Sequence, residues 1–271
     1  MFMGKYMTNR KTALVTGASD GIGAESSDIL AGLGYNVILV ARREDKLNEL
    51  GEQLNNLYGV ECTVIPADLS EPQAAQKLFS LTQEKNLEVD LLINNAGLLH
   101  NGYFTDLGLT EQERMIAVNV LALTSITHLF ANNMATRGKG RILNISSLAA
   151  WMAIPNQNVY AASKAYVLSF TQALADEMMA NSSGVSVTAL CPGYTATKMM
   201  DNPAQGATLR IPPTMMMSAR EVAEAGIKGC LSGKSVVVPG VANKITAAVV
   251  RLFSKRLLTK LVGSFYRSKM Q

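Results

Sequence analysis

Only three cysteines, Cys62, Cys191 and Cys230, occur in the 271 residues, and no two of them are spaced C-x-x-C. A disulfide framework and a cysteine zinc site are therefore not expected, and a reducing, cytoplasmic setting is. Histidine is scarcer still, with His100 and His128 in different segments. No histidine-based metal centre is expected from that pair. The N-terminal stretch MFMGKYMTNRKTALVTG lacks the continuous apolar core of a signal peptide, and no unbroken run of about 18 uncharged apolar residues offers a membrane span. Acid is missing from one region. From residue 225 to residue 271 there are nine lysines and arginines and no aspartate or glutamate, whereas residues 1–224 hold 16 basic and 21 acidic side chains. The net charge of +4 thus belongs to the tail.

What is present is a chain with 48% hydrophobic residues, enough for one large core. The segment KTALVTGASDGIGAESSDILAGLGYNVILVARRED reads as strand, glycine-rich turn, helix and strand, with the helix running from about Gly21 to Leu33 and Gly34 as its left-handed cap. Five more apolar runs follow, CTVIP, VDLLIN, GRILNIS, VSVTALCP and SVVVPG, amid helical patterns at about 44–57, 72–86, 110–136, 158–181 and 218–231. Strands alternating with helices predict an α/β fold: a single-domain, Rossmann-type doubly wound parallel sheet of about seven strands with helices on both faces. Residues 1–240 are assigned to this catalytic domain and 241–271 to a basic amphipathic extension. The longest irregular stretch, about 194–217, is rich in methionine and of a length that is usually functional or mobile.

Gly17, Gly21 and Gly23 follow the first strand in a G-x-x-x-G-x-G spacing, where glycine lets the backbone turn tightly and approach a pyrophosphate held at the next helix's N-terminus. At the end of the second strand, where an acid would bind the ribose hydroxyl of NAD, the chain has Arg42 and Arg43. Guanidinium pairs with a 2′-phosphate, so NADP(H) is favoured. Asn94–Gly97 and Ser146–Ser147 end the fourth and fifth strands, at the edge where such sheets place ligands. Asn119 is a polar residue in an apolar run and needs a buried partner. Tyr160 and Lys164 stand four apart in NVYAASKAYV, on one helical face, where the ammonium would favour the phenolate and lower the phenol's pKa.

Taken together, T-G-x-x-x-G-I-G, N-N-A-G, a serine thirteen residues before Y-x-x-S-K, and CPGYTAT resemble the classical short-chain dehydrogenase/reductase family, in order from about residue 11 to 240. The resemblance implies that Tyr160 is the acid/base, that Ser147 polarises the carbonyl oxygen, that Lys164 binds the nicotinamide ribose and lowers the tyrosine pKa, and that Asn119 holds a water leading to solvent. It implies cofactor contacts from Gly17, Ser19, Gly21, Ile22 and Gly23, from Arg42 and Arg43, and from Asp68 with Leu69 at the adenine. Asn95, Ala96 and Gly97 would line the cofactor, with Pro192, Gly193, Thr195 and Thr197 at its nicotinamide end. Two departures stand out: Ala150 where many members carry glycine, and Asp20 within the glycine-rich turn, a negative charge near the phosphates.

The expected activity is NADP(H)-dependent reduction of a hydrophobic ketone or aldehyde, reversibly. The alternative is a non-catalytic nucleotide-binding regulatory or scaffold protein of the same fold. Trp151, Met152, Ile154, Tyr194, Met199, Met200 and Met215–Met217 are candidates for an apolar substrate pocket, with Lys198 and Arg210 on the same loop. A homodimer or homotetramer formed through the two long central helices is implied by the family. No nucleic acid partner is expected. In the tail, Ile245, Val249, Leu252 and Phe253 form one apolar stripe opposite Lys244, Arg251 and Lys255. Leu257, Leu258, Leu261 and Phe265 form another opposite Arg256, Lys260 and Arg267. The offset between the stripes predicts two short helices with a break near Ser254. They would pack on protein or make a peripheral membrane contact.

Overall fold

In β1 (Thr12–Thr16) every residue is buried, and in β2 (Asn36–Ala41) and β4 (Leu91–Asn94) all but the ends of β2 are. Strands apolar throughout must be covered on both faces, which is the condition of a parallel sheet with helical crossovers. The computed structural model, which describes residues 10–199 and 211–269, has that arrangement. With β3 (Cys62–Pro66), β5 (Gly140–Ile145), β6 (Val185–Leu190) and β9 (Val236–Val237), the strands form one seven-stranded parallel sheet in the order β3-β2-β1-β4-β5-β6-β9. Alternate residues of each strand feed separate cores. Val15, Leu39 and Ile93 meet α1 (Gly21–Gly32), α2 (Glu44–Tyr58) and α7 (Ala219–Leu231) on one face. Leu14, Ile38 and Leu92 meet α3 (Ala74–Glu84) and α5 (Leu123–Thr136) on the other. The order reverses at β1, which pairs with both β2 and β4, so a crevice opens at the carboxyl ends of these strands.

The seven expected strands and six expected helices are all found, with ends shifted by at most a few residues. Gly34 closes α1 at φ +83, in the left-handed region, where its amide donates to the Ala31 carbonyl. The helix expected at 110–136 is broken by a wide turn. It consists of α4 (Leu109–Ile116), a π-helical segment Ala117–Ala122 and α5. This run is long and apolar enough to pass as a membrane span by length and composition, although charged residues interrupt it. Half of its most apolar window is buried, the behaviour of a core helix.

The irregular stretch at 194–217 is pinched at its base by a two-stranded parallel pair, β7 (Thr195–Ala196) with β8 (Met217–Ser218). The long helix α6 (Asn158–Ala180) lies beside β6, and the tail forms α8 (Val241–Val250) and α9 (Lys255–Lys269) with the break at Ser254. Leu257 and Leu258 donate their amides to the Ser254 carbonyl, which starts the second helix.

Candidate active site

A cleft of about 430 Å³ runs along the carboxyl ends of the strands. At one end the backbone of the glycine-rich turn comes unusually close to its neighbours. Gly17 and Gly21 adopt φ +67 and +54. A Cβ at Gly23 would lie 2.2 Å from the Gly17 carbonyl oxygen, one at Gly17 would lie 2.8 Å from Asn95 Nδ2, and one at Gly21 would press on the Thr197 methyl at 2.9 Å. Asn95 holds this turn in place by donating its side-chain amide to the carbonyls of Thr16 and Gly17 at 3.0 and 3.2 Å. The cradle sits at the N-terminus of α1, the geometry that suits a pyrophosphate. Asp20 caps that helix by accepting the Gly21 amide at 2.8 Å. Its carboxylate also meets Lys198 at 3.1 Å and Arg43 at 3.4 Å. Burial opposes its charge, but the Lys198 and Gly21 hydrogen bonds outweigh burial and hold its pKa below the usual range. The departure at Asp20 is thus answered by two cations.

Further along, Arg43 donates to the Ser19 hydroxyl at 3.0 Å and Arg42 stands 3.9 Å from Asp68. Asp68 is more heavily engaged than its sequence context showed. One oxygen accepts from the Ser70 amide and hydroxyl, and the other accepts from Arg114 Nη2 at 2.6 Å. Burial raises the pKa of Asp68, yet these bonds prevail and lower it. Arg114, on α4, lines the same cleft and was not singled out in the sequence.

At the other end Ser147, Tyr160 and Lys164 converge. Ser147 lies just past β5 and caps the 3-10 turn Leu148–Trp151 by accepting the Ala149 amide at 3.1 Å, and it lines the cleft together with Tyr160. Lys164 is 5% exposed and donates to the Ile145 carbonyl at 2.9 Å. Its ammonium lies 5.7 Å from the centre of the Tyr160 ring. The expected drop in the phenol's pKa is not found in the protein alone. Burial pushes Tyr160 up and outweighs the nearby Ser147 hydroxyl, which acts the other way, while the lysine is directed to the Ile145 carbonyl. Burial also depresses Lys164 itself, to about 8.

A lysine whose folded pKa lies below its unfolded value binds fewer protons when folded, so stability rises with pH between the two values. Without cofactor, the wild type should therefore gain on the order of 1 kcal/mol per pH unit over Lys164→Met from about pH 8 to 10. Urea midpoints of both proteins at the two pH values check this, and parallel changes would contradict it.

Asn119 has the buried partners that its setting required. It accepts the Leu98 amide at 2.8 Å and donates to the Leu98 carbonyl at 2.9 Å and the Ser163 hydroxyl at 3.0 Å. It lies within the π-helical segment, a feature frequent at functional sites. A Cβ on Gly97 would lie 3.4 Å from Asn119 Oδ1 and 3.5 Å from Lys164 Nζ, so both side chains face one small space.

Of the residues named from the sequence, Ser19, Ile22, Leu69, Ala96, Pro192, Gly193, Thr195 and Thr197 also line the cleft. Gly23 and Asn119 lie behind its wall, buried. The apolar candidates divide. Met152, Ile154 and Tyr194 gather with Met216 and Ile211 around Tyr160, and Met199 lines the cleft. Trp151 instead packs toward Leu168, under the guanidinium of Arg251 at 4.5 Å, and Met217 joins the main core. Met215 is exposed. Met200 and Arg210 lie outside the described residues.

A doubly wound sheet with a glycine cradle at one end of its crevice and a Ser-Tyr-Lys group at the other defines a nucleotide-binding oxidoreductase. Residues 11–207 match the sequence model of the short chain dehydrogenases. The chain belongs to this short-chain dehydrogenase/reductase family and is an oxidoreductase acting between carbonyl and hydroxyl carbon. It is 32% identical over 255 residues to a 7beta-hydroxysteroid dehydrogenase of Mediterraneibacter gnavus, covering 94% of this chain and 95% of that one. It is 33% identical over 220 residues to the very-long-chain 3-oxoacyl-CoA reductase of Rattus norvegicus, covering 80% and 67%. Among solved structures, a short-chain dehydrogenase from Sphingobium yanoikuyae in complex with NADPH superposes with a TM-score of 0.79 at 30% identity, over 89% of this chain and 93% of that one.

Proposed function

We propose that the protein is an NADP(H)-dependent reductase of bulky, hydrophobic ketones or aldehydes, acting reversibly. The observation that carries the reading is the convergence of Ser147, Tyr160 and Lys164 in a cleft whose far end holds the glycine cradle, Arg42 and Arg43. When bound there, the nicotinamide cofactor supplies or accepts the hydride. Tyr160 gives its proton to the carbonyl oxygen in reduction and takes it back in oxidation. Ser147 holds the same oxygen and polarises it. Lys164, anchored on Ile145, supplies positive charge beside the phenol, and Asn119 fixes the wall at Leu98. The apolar side chains gathered at Tyr160 favour a substrate without a charge next to its carbonyl. Relatives named for a hydroxysteroid and for a very-long-chain 3-oxoacyl thioester support the same class.

NADP(H) is preferred because β2 ends in Ala41-Arg42-Arg43, which offers two guanidinium groups and no carboxylate to the ribose position. Arg43→Ala should weaken NADPH binding by about 1.5–3 kcal/mol and leave NADH nearly unchanged. Fluorescence titration of both cofactors against both proteins checks this, and equal affinities in the wild type would sink the assignment.

A cytoplasmic setting is supported by three cysteines that are all free, two of them buried. The protein acts as a homodimer or homotetramer in this reading, joined through the helices at 109–136 and 158–180, on which Leu121, Tyr166 and Met179 are exposed. Light scattering at micromolar concentration should give at least twice the chain mass, and a monomer would contradict it.

A further inference from the structure

The two C-terminal helices each carry apolar residues on two sides. On α8, Ala247 and Val250 face inward, and on α9 Leu258 and Gly263 do. Leu258, which the sequence grouped in one stripe with Leu257 and Leu261, is thus turned inward while those two are exposed. This inner side is tied to the active-site wall. Asn243 abuts Gly193, where a Cβ would come 2.4 Å from its oxygen, Arg251 lies over Trp151, and Val262 packs into the cluster around Tyr160.

The outer side is unlike an ordinary protein surface. Val241, Ile245, Val249 and Leu252 fall on one stripe of α8 and its end, opposite the packed side, with Ile245 59% and Leu252 83% exposed. Leu257 and Leu261, the latter 61% exposed, form a second exposed stripe on α9. Lys244, Arg256 and Lys260 are exposed along the edges of the two stripes. No acidic residue occurs anywhere from 225 to 271 to balance them. Lys255 and Arg267, grouped with these cations in the sequence, lie outside the described side chains.

We propose that this outer face docks on an anionic lipid bilayer. Adjacent apolar and cationic stripes on short helices bind membranes by burying the apolar residues at the headgroup boundary while the cations meet lipid charge. A second copy fits the face poorly. Two-fold pairing would set this cationic patch against a second copy of itself, with no carboxylate from the tail to offset the repulsion. The docked tail sets the wall behind Tyr160 near the lipid, so a bulky apolar carbonyl compound dissolved in the bilayer is the substrate that this placement serves. That corollary alone rests on the proposed reductase activity.

The test is co-sedimentation of the full-length protein at low salt with phosphatidylcholine vesicles, with and without about one-third phosphatidylserine. The wild type should sediment with the anionic vesicles only, and high salt should release it. Leu252→Glu with Leu261→Glu should abolish sedimentation. Lys244→Glu with Lys260→Glu should lower partitioning by at least tenfold, since each cation near the lipid contributes on the order of fivefold. Melting temperature and NADPH titration of these variants, unchanged from wild type, show that the fold is kept. Three results would overturn the proposal: wild type left in the supernatant, equal binding to neutral and anionic vesicles, or loss of self-association in Leu252→Glu with Leu261→Glu without any vesicle binding. Because the readout is binding, its failure leaves the reductase reading standing.

Discussion

Replacing Tyr160 by phenylalanine should lower turnover by about 10²- to 10⁴-fold while NADPH affinity stays within about twofold. The substitution removes one hydroxyl and keeps the ring that packs with Met152, Ile154 and Tyr194. Ser147 stays positioned through the Ala149 amide, so the wall of the cleft is retained. The loss therefore falls on proton transfer rather than on binding. Steady-state rates on any accepted ketone, beside a cofactor titration, separate the two. A variant retaining near-normal rates would show that another group moves the proton.

The second large effect is expected at Gly23. Alanine there would put its methyl carbon 2.2 Å from the Gly17 carbonyl oxygen, a backbone contact that no side-chain rotation relieves, and 2.5 Å from Asn95 Nδ2. The turn must shift, and the Asn95 hydrogen bonds to Thr16 and Gly17 shift with it. Overpacking of this kind costs roughly 1–3 kcal/mol, and the cofactor cradle is where the displacement emerges. Gly23→Ala should weaken NADPH binding on the order of a hundredfold, with a melting temperature lower by several degrees. An alanine variant with wild-type affinity would mean that the cradle does not hold the pyrophosphate.

The sheet was legible in the sequence because each strand is a short apolar run bounded by a glycine, proline or charged residue, and because Gly34 and the glycine-rich turn mark where the first helix ends and begins. The site was legible because its residues sit at strand ends and on one helical face. What was missed lies in the relation between distant segments. Arg114 reaches Asp68 across 46 positions, and Lys198 reaches Asp20 from the far side of the sheet order, pairings that no local pattern encodes. The π turn at Ala117–Ala122 adds no sequence mark, since AVNVLA reads as continuous helix. The phenol's pKa was misjudged because helical spacing brings Lys164 beside Tyr160 but does not reveal that the Ile145 carbonyl takes the ammonium. Leu258 was grouped in one stripe with Leu257 and Leu261 because the tail's helical period alone gives no sign that Leu258 is buried while those two are exposed.

The central claim is chemical, that this cleft reduces bulky apolar carbonyl compounds with NADPH. The most direct measurement is the loss of reduced-nicotinamide absorbance when purified protein is mixed with NADPH or NADH and a panel of aliphatic, aromatic and steroid ketones. The account predicts turnover with NADPH well above that with NADH, highest for large apolar ketones and absent for small charged ones. NADPH that binds tightly yet is never oxidised by any member of the panel would contradict it and leave a nucleotide-binding protein without this reaction.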